Sequence, residues 1–541
     1  MPFFQDAPGD PDLFAVDAAL HAELARRLPA DLLAEARRRC AALGEATARE
    51  LPELARQAEA QPPVHVPYDA WGRRVDELRT SPAWEALRVF SARHALVATG
   101  YEAGLGEHRR TVQAALLHLF SASSATYSCP LAMTDAAARV LLDLGPAALR
   151  ERLVAGLTAT DPARFITSEQ WMTERTGGSD VGGTETIARP SAGGAGYTLH
   201  GVKWFTSATT SEMALTLARI DDGETAPTPG SRGLSLFCVE IAREPGRGWR
   251  GITVHRLKDK LGTKALPTAE LTLDGAPATL LGAPGRGVAN ISGMLNVTRL
   301  YNAIASASGM QRACALARDY ADRRVAFGRP LAELPLHAAT LADMEAETAA
   351  VLALVMECAA LLGRAEAGTA SDDERRRLRA LIPLAKLTTA KQAVACASEA
   401  LECFGGAGYV EDTGLPRLLR DAQVLTIWEG TTNVLALDLL RAEAREGSFS
   451  AVLKDLSLRA ERLARPLDRG AVTAVREGVR GLVAQAQQAV QAGGDALEAS
   501  ARKLALRAGH LAEALCLADT AAGDERAAER FERFAALRLG A

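Results

Sequence analysis

The sequence lacks the side-chain clusters that hold metal ions or build a disulfide framework. Its eight cysteines are scattered over 541 residues, with no C-x-x-C pair, no histidine at zinc-finger spacing and no H-E-x-x-H motif. A disulfide framework suits a small secreted domain, and this chain is long. We therefore expect buried free thiols and no metal site.

Phosphate-binding motifs and a strong net charge are also absent. Neither G-x-G-x-x-G after a strand nor G-x-x-x-x-G-K-S/T occurs, and strands do not alternate with helices, so a doubly wound nucleotide-binding fold is disfavoured. The 62 Lys and Arg residues nearly balance the 66 Asp and Glu residues, which leaves a net charge of −4. This balance argues against a globally basic nucleic-acid-binding protein, and the hydrophobic content of 48% argues against a disordered chain.

Signals for export or membrane insertion are not apparent. The first residues, M-P-F-F-Q-D-A-P-G-D-P-D, have acids where a secretory signal needs Lys or Arg before an apolar stretch. The most apolar window, residues 347–366, contains Glu357 and Arg364, whereas a membrane span needs about 20 apolar residues. We interpret this window as a buried bundle helix and expect a cytoplasmic protein with no membrane partner.

Hydrophobic periodicity divides the chain into helical, strand-rich and again helical parts. Residues 1–165 show apolar positions at three- and four-residue spacing, interrupted by the proline-containing segment Q-P-P-V-H-V-P-Y-D-A-W-G-R-R, which we expect to cross the surface in an extended form. In residues 166–285 apolar residues recur at every second position instead. This alternation predicts strands at Y-T-L-H-G-V-K-W-F, A-L-T-L-A-R-I, G-L-S-L-F-C-V-E-I and A-E-L-T-L-D-G.

Helical spacing returns in residues 286–440 and continues in a carboxy-terminal extension, residues 441–541. Bundle helices are predicted to begin near Ile291, Ala338, Asp372 and Leu418, and Gly493 with Gly494 marks a turn in the extension. The predicted fold is thus α+β and mainly α: an amino-terminal helical domain, a middle β-domain, a helical bundle and a helical extension. With 16 basic and 14 acidic residues, the extension would attract a phosphate backbone only weakly.

Four ordered motifs closely resemble one family, the acyl-CoA dehydrogenases. They are W-M-T-E-R-T-G-G-S-D (171–180), K-W-F-T-S (203–207), R-R-V-A-F-G (323–328), and F-G-G-A-G-Y followed by R-D-A-Q-V-L-T-I-W-E-G-T-T-N (404–433). The family's order is also helical domain, β-barrel domain, helical domain, and the resemblance spans about residues 84–441. Within this family the chain is most similar to the AidB-type branch. The similarity rests on the carboxy-terminal extension and on three segments, Y-D-A-W-G-R-R-V-D-E-L, S-C-P-L-A-M-T and R-L-K-D-K-L-G.

The resemblance implies that Glu429, in I-W-E-G-T, is the catalytic base. The family reaction removes an α-proton from an acyl-CoA while the β-hydrogen leaves as hydride to flavin N5, so one carboxylate must face the flavin. We expect Ile427, Trp428 and the flavin ring to exclude water from this carboxylate, which makes it a stronger base. Its backbone N–H would donate to the thioester oxygen, and Gly430 would allow the ligand to approach closely.

One branch of the family has its base elsewhere, directly before the Arg of the first bundle helix. In this sequence that position is Thr298, before Arg299. Glu429 is therefore the one candidate base.

The resemblance also implies an FAD site. Hydroxyl and backbone N–H groups would satisfy the polar edge of the flavin while Trp204 covers one face of its ring, and Arg324 with the two glycines after Phe404 would clamp the FAD of a neighbouring subunit. The predicted cofactor-binding residues are Met172, Thr173, Gly178, Ser179, Trp204, Thr206, Ser207, Arg324, Phe327, Gly405, Gly406, Thr431 and Asn433. The predicted substrate-binding residues are Ser179, Arg299 and Gly430.

The function that the resemblance implies is an FAD-dependent acyl-CoA dehydrogenase that yields a 2-enoyl-CoA and passes electrons to an electron-transferring flavoprotein. An FAD shared between subunits requires at least a dimer, and we expect a homotetramer, a dimer of dimers.

Two alternatives stay open. One is an AidB-like flavoprotein of the DNA alkylation response that binds double-stranded DNA and has weak or vestigial dehydrogenase activity. The other is an acyl-CoA oxidase, whose reduced flavin reacts with oxygen. Nitroalkane-oxidising relatives are disfavoured because they use Asp where this chain has Glu429.

Overall fold

The structure of the chain is a computed structural model that describes residues 6–191, 196–224, 228–244, 248–463, 467–521 and 524–540. Contacts between residues group the chain into two compact units. Unit 1 comprises Met1–Pro52, Glu102–Ser123 and Arg299–Ala541, and unit 2 comprises Glu53–Tyr101 and Ser124–Thr298.

The amino-terminal part is mainly helical, as predicted. Its elements are α1 (Leu13–Val16), α2 (Ala18–Arg27), α3 (Ala30–Ala48), α4 (Glu50–Ala60), β1 (Val64–Tyr68), β2 (Arg74–Arg79), α5 (Pro82–Arg93), α6 (Arg109–Ser121), α7 (Ser128–Leu144) and α8 (Ala147–Leu157).

The proline-containing segment is extended over β1, as predicted, and then turns back, which the prediction did not include. It forms an antiparallel hairpin of β1 and β2. The turn closes because the Asp69 carboxylate accepts hydrogen bonds from the backbone N–H groups of Trp71 and Arg73, at 2.9 and 2.8 Å. The indole of Trp71, at the tip of the hairpin, is exposed.

The middle part forms a β-barrel, and the four predicted strands are confirmed. Its strands are β3 (Ser168–Trp171), β4 (Ile187–Pro190), β5 (Tyr197–Thr206), β6 (Met213–Ile220), β7 (Leu234–Glu240), β8 (Arg243–Glu244), β9 (Gly248–Trp249), β10 (Ile252–Leu257) and β11 (Ala269–Leu281). Strand order is β3-β6-β4-β5-β11-β10-β9-β8, and β7 pairs with both β6 and β11. The pairing therefore closes a ring, β6-β4-β5-β11-β7, which leaves these strands without a free edge.

The barrel interior explains the period-two pattern. Side chains that alternate along each strand meet inside it, among them Trp171, Leu199, Phe237, Val254 and Leu271, all nearly or completely buried. β5 and β11 form the longest antiparallel pair, with Lys203 opposite Leu271 and Thr206 opposite Ala269. This pairing fixes which side of β5 each of the K-W-F-T-S side chains occupies.

The bundle and the extension are helical, and the predicted helix starts are confirmed within three residues. The elements are α9 (Gly287–Asn290), α10 (Ser292–Arg323), β12 (Val325–Ala326), β13 (Arg329–Pro330), α11 (Pro335–Ala367), α12 (Asp372–Cys403), α13 (Pro416–Leu425), α14 (Thr432–Glu446), α15 (Ser448–Arg462), α16 (Arg469–Ala492), α17 (Gly494–Thr520) and α18 (Glu525–Leu539). The predicted turn at Gly493 and Gly494 separates α16 from α17.

Local sequence signals determine where α11 ends and where α12 begins. α11 ends at Gly368, which has a left-handed backbone, and α12 begins after Ser371. The Ser371 hydroxyl accepts from the Glu374 N–H at 3.2 Å, and the Glu374 carboxylate accepts from the Ser371 N–H at 2.8 Å, which is a capping box. The four-residue connection makes the two long helices an antiparallel pair.

Helix α11 is long and apolar enough to cross a membrane by length and composition, so the expectation that Glu357 and Arg364 make it too polar is wrong. Its most apolar window is 89% buried inside the protein, as predicted for a bundle helix. Glu357 is tolerated there because it accepts from Arg27 at 3.0 Å and from Arg377 at 3.1 Å.

The extension lies in unit 1 together with the bundle. α17 and α18 pack against α11, and α15 and α17 pack against α12. The eight cysteines of the chain, all in its described part, are buried thiols as predicted.

Candidate active site

Glu429 lies on the short loop between α13 and α14, in unit 1. Its φ is +54°, and that of Gly430 is +103°. A left-handed backbone at a residue other than glycine is uncommon and clusters at functional sites. The φ of Gly430 favours glycine, and a Cβ atom there would lie 3.0 Å from Leu435 Cδ2, a tight contact. The two residues turn the chain sharply just before α14 begins.

The two residues that precede Glu429 differ in exposure. Within unit 1, Ile427 is 60% exposed. Trp428 is half-buried, and its indole Nε1–H is buried without a hydrogen-bond partner among the described residues. An unpaired buried donor beside the candidate base can serve a bound ligand.

A buried lysine, which the sequence reasoning missed, holds this loop. Lys386 Nζ donates a hydrogen bond to the backbone oxygen of Gly430 at 2.6 Å, and its side chain is completely buried. Burial lowers the pKa of Lys386 to about 7, a shift that the charge of Glu429 opposes and that of Arg299 reinforces. A lysine inside the apolar run A-L-I-P-L-A-K-L-T-T-A was the signal that could have identified it.

The predicted substrate-binding residue Arg299 is paired inside unit 1. Its Nη1 donates to Asp438 Oδ2 at 2.8 Å, and Arg379 Nη2 donates to Asp438 Oδ1 at 2.7 Å. Burial alone would raise the pKa of Asp438, but the two guanidinium groups lower it below its ordinary value. Arg299 is 7% exposed, so its paired guanidinium group is almost completely shielded from solvent.

Thr431 and Asn433 lie at the start of α14. The Thr431 hydroxyl accepts from the Val434 N–H at 3.5 Å as the helix cap. Asn433 is exposed and accepts from Arg502 Nη1 of α17 at 2.7 Å. Both line the edge of the loop, and Asn433 also borders a cavity of about 430 Å³ between α14 and α17 that contains Asp495, Glu498 and Arg502.

The predicted clamp residues lie together at the ends of α10 and α12. Tyr320, one turn before Arg324, packs edge-on against Phe404 with 5.1 Å between the ring centroids. Phe404 directly precedes Gly405 and Gly406, which are exposed. A Cβ atom on either glycine would meet nothing within 4 Å in the described part of the chain. These backbones are therefore open to an external group.

Phe327 occupies the two-residue turn between β12 and β13. Its φ is +53° and that of Gly328 is +84°, a combination typical of a tight hairpin turn. The Phe327 ring is 94% exposed. An aromatic ring placed so far into solvent is suited to contact another molecule.

In unit 2 the structure brings Thr173, Gly178 and Trp204 together, and Met172 directly precedes Thr173 in the chain. The Trp204 N–H donates to the Thr173 carbonyl oxygen at 2.9 Å, so the segment after β3 lies beside β5. A Cβ atom on Gly178 would lie 2.4 Å from Thr173 Oγ1, which excludes a larger residue. Ser179, which follows in the same turn, is exposed.

A buried ion pair, also missed from the sequence, lies beneath these residues. Lys203 Nζ and Glu174 Oε1 are 2.7 Å apart, and both side chains are almost completely buried. Glu174 also accepts from the Thr186 hydroxyl at 2.5 Å and from the Glu185 N–H at 2.6 Å. Burial would raise the pKa of Glu174, but the Lys203 charge and these hydrogen bonds lower it. Both residues lie inside the quoted motifs, next to Thr173 and Trp204.

The two predicted hydroxyl groups at the end of β5 are used differently. Thr206 is completely buried, and its hydroxyl donates to the Ala269 carbonyl oxygen at 3.0 Å. Its side chain is therefore committed within the barrel, and only its backbone could contact a cofactor. Ser207 is half-buried, and its hydroxyl lies 3.6 Å from Cys129 Sγ and 3.9 Å from Met133 Sδ, both on α7.

The ammonium group of a lysine, Lys258, packs against the ring of Trp204. Lys258 Nζ lies 4.0 Å from the centroid of the Trp204 ring and 2.8 Å from Glu270 Oε1. Lys258 thus occupies one face of the indole, and a planar ligand would have to use the other face.

The residues present fit an FAD. In unit 2 a half-buried indole with one occupied face, an exposed Ser179 hydroxyl and exposed backbone near Gly178 match a flat ring with a polar edge. In unit 1 open glycine backbones suit a pyrophosphate. The described residues contain no group of three or more His, Cys, Asp or Glu side chains that could hold a metal ion.

Three family models match the chain. Residues 285–443 match the model described as acyl-CoA dehydrogenase, C-terminal domain, and residues 170–276 match acyl-CoA dehydrogenase, middle domain. Residues 5–161 match the adaptive response protein AidB N-terminal domain.

Curated proteins with high similarity carry related names. The chain is 48% identical over 444 residues to acyl-CoA dehydrogenase family member 11 of Caenorhabditis elegans. The aligned region covers 81% of this chain and 72% of that protein. It is 33% identical over 425 residues to putative acyl-CoA dehydrogenase AidB of Escherichia coli strain K12. That aligned region covers 77% of this chain and 76% of that protein.

Solved structures share the fold. ACDH-11 of Caenorhabditis elegans, in complex with C11-CoA, superposes with a TM-score of 0.94 at 41% identity and covers 99% of this chain and 93% of that chain. An acyl-CoA dehydrogenase of Bacillus anthracis, in complex with FAD, has a TM-score of 0.74 at 19% identity and covers 99% and 90% of the two chains. The second likeness shows the fold alone.

Proposed function

Because the chain belongs to the acyl-CoA dehydrogenase family, as its motifs predicted, we propose that it oxidises an acyl-CoA to the 2-enoyl-CoA with Glu429 as the catalytic base. FAD is the cofactor of this family of oxidoreductases acting on CH–CH groups. The observation that carries the proposal is the loop at Glu429, where a left-handed non-glycine residue that carries a carboxylate directly follows Trp428, whose buried Nε1–H has no hydrogen-bond partner among the described residues. A similar structure that holds an acyl-CoA supports the substrate class.

The residues of this chain have distinct roles in the proposed reaction. The Glu429 carboxylate accepts the α-proton of the acyl group, and its backbone N–H donates to the thioester oxygen, where negative charge develops. Bound FAD supplies the acceptor for the β-hydride. Thr173, Gly178 and Trp204 form the surface that orients the flavin, and the buried pair of Lys203 and Glu174 holds that surface in place.

We propose that the active protein is a homotetramer. Phe327 and Tyr409 are 94% and 91% exposed, and Tyr409 follows the open backbones of Gly405 and Gly406 in the chain. Exposed apolar side chains next to a candidate phosphate-binding backbone fit a site that a neighbouring subunit completes. We further propose that the protein acts in the cytoplasm and transfers electrons to an electron-transferring flavoprotein.

An anaerobic titration with a panel of acyl-CoA esters of different chain lengths tests the function. We expect the visible absorbance of the bound flavin to be lost with one class of ester and a 2-enoyl-CoA to form in equal amount. Absence of both with every ester would contradict the proposal. Oxygen uptake without an added acceptor would identify the oxidase alternative instead.

The carboxy-terminal extension gives the DNA-binding alternative little support. Several of its arginines are paired within unit 1: Arg459 with Asp519 at 2.6 Å, Arg533 with Asp343 at 2.6 Å, and Arg538 with Glu347. Paired cations attract a phosphate backbone less than free ones. Binding of the full chain to a labelled DNA duplex that weakens steeply with added salt would favour the alternative.

A further inference from the structure

Lys386 is an unusual residue for the centre of a bundle helix. It lies between Ala385 and Leu387 on α12, both buried, and its own side chain is completely buried. A lysine in such a place costs free energy because its ammonium group loses water. A methionine would fill a similar volume without this cost.

The contact that Lys386 makes is with the loop of the candidate base. Its Nζ donates to the Gly430 carbonyl oxygen at 2.6 Å, one residue after Glu429. Arg299 on α10 and Glu429 on the loop are the charged groups that act on it. Lys386 therefore ties α12 to the loop across 44 residues of sequence.

The loop needs such a tie because its backbone is strained. Glu429, at φ +54°, has a left-handed backbone that is stable in a residue other than glycine only where neighbouring contacts hold it. The Thr431 cap fixes the loop to α14, and the Lys386 hydrogen bond fixes the orientation of the peptide plane that follows Gly430. Without the second contact this peptide plane could rotate and move the carboxylate.

Resting on the proposed function, we propose that Lys386 is a positioning residue for the base: by holding the Gly430 carbonyl oxygen it fixes the Glu429 carboxylate over the α-carbon of the substrate. It touches neither substrate nor cofactor. Its removal should therefore slow proton abstraction and leave substrate binding and FAD binding nearly unchanged.

The test compares Lys386→Met, which removes the donor, with Lys386→Gln, which keeps an N–H donor on a shorter side chain. Lys391→Met, on the exposed side of the same helix, is the matched control. The substrate is a 3-thiaacyl-CoA, whose α-protons can be removed but which has no β-hydrogen to transfer. Mass spectrometry in deuterium oxide measures the exchange of its α-protons, and the acyl-CoA oxidation assay gives kcat and KM.

For Lys386→Met we expect at least a tenfold lower exchange rate and kcat, with KM and FAD content close to those of the wild type and a melting temperature that is not lowered. Lys386→Gln should be intermediate, and Lys391→Met should equal the wild type. Adding Lys386→Met to Glu429→Gln should lower the residual exchange no further, because the lysine acts through the glutamate.

Two results would overturn the inference. Unchanged exchange in Lys386→Met would show that the contact does not position the base. A loss of FAD content and melting temperature in parallel with kcat, in both Lys386 variants, would assign the lysine a structural role. If the wild type itself neither exchanges α-protons nor oxidises any acyl-CoA, the proposed function fails, and that failure is distinct from the two results above.

Discussion

Lys203 Nζ and Glu174 Oε1 lie 2.7 Å apart inside the barrel, and each residue directly adjoins a predicted flavin-contacting residue, Trp204 and Thr173 respectively. The pair joins β5 to the turn after β3 at the point where the Trp204 N–H meets the Thr173 carbonyl oxygen. A buried charge pair of this kind contributes chiefly by fixing geometry, because desolvation offsets much of the attraction.

The first prediction is that Lys203→Met lowers the free energy of unfolding by about 3–5 kcal/mol, because it leaves the Glu174 carboxylate buried and unpaired. Urea denaturation measures the change, and the affinity for FAD should fall with it. Arg189→Met, which breaks the exposed Arg189–Asp221 pair of the same barrel, is the control and should cost at most about 1 kcal/mol. Equal effects of the two substitutions would contradict the structural role of the buried pair.

The second prediction concerns the backbone of the loop. Gly430→Ala should lower kcat strongly and cost roughly 1–3 kcal/mol, because φ is +103° and the new Cβ would lie 3.0 Å from Leu435. Gly309→Ala is the control: it lies in the middle of α10, where a Cβ atom would meet nothing within 4 Å beyond its own helix in the described part of the chain, and it should be neutral or stabilising. A Gly430→Ala variant with wild-type kcat would show that this conformation is not needed.

The third prediction is a pH dependence caused by Lys386. Its pKa is about 7 in the folded protein and 10.5 ordinarily, so between these values the unfolded chain holds one proton more. The free energy of unfolding therefore gains a contribution that rises with pH in this range, by at most about 1.4 kcal/mol per pH unit. The difference between the wild type and Lys386→Met, measured by urea denaturation from pH 6 to about 10, should show this rise. Parallel curves would mean that Lys386 titrates normally.

Much of the fold was predictable because its signals are local. The period of two in β5, β6, β7 and β11 and the helical spacing around α10 to α13 follow from which side of each element is buried. The proline-containing hairpin was missed in part, because its closure depends on one side-chain contact, that of Asp69 with the N–H groups of Trp71 and Arg73.

The candidate site was predictable only as a set of motifs. Glu429, Trp204 and the glycines are recognised by their neighbours in sequence, but the partners that hold them are distant along the chain. Lys386 reaches Gly430 and Glu174 reaches Lys203 only once the elements have packed, and the pairing of Arg299 with Asp438 is likewise long-range. No local pattern encodes such contacts.

Glu429 is central to the proposed reaction, and one paired measurement tests its role directly. Wild type and Glu429→Gln, each loaded with FAD, are mixed anaerobically with the preferred acyl-CoA while the flavin absorbance is followed. We predict loss of flavin absorbance in the wild type and a rate about 10²–10⁴-fold lower in the variant, because general-base catalysis contributes about that much. Equal rates of flavin reduction in the two proteins would contradict the assignment of Glu429 as the base.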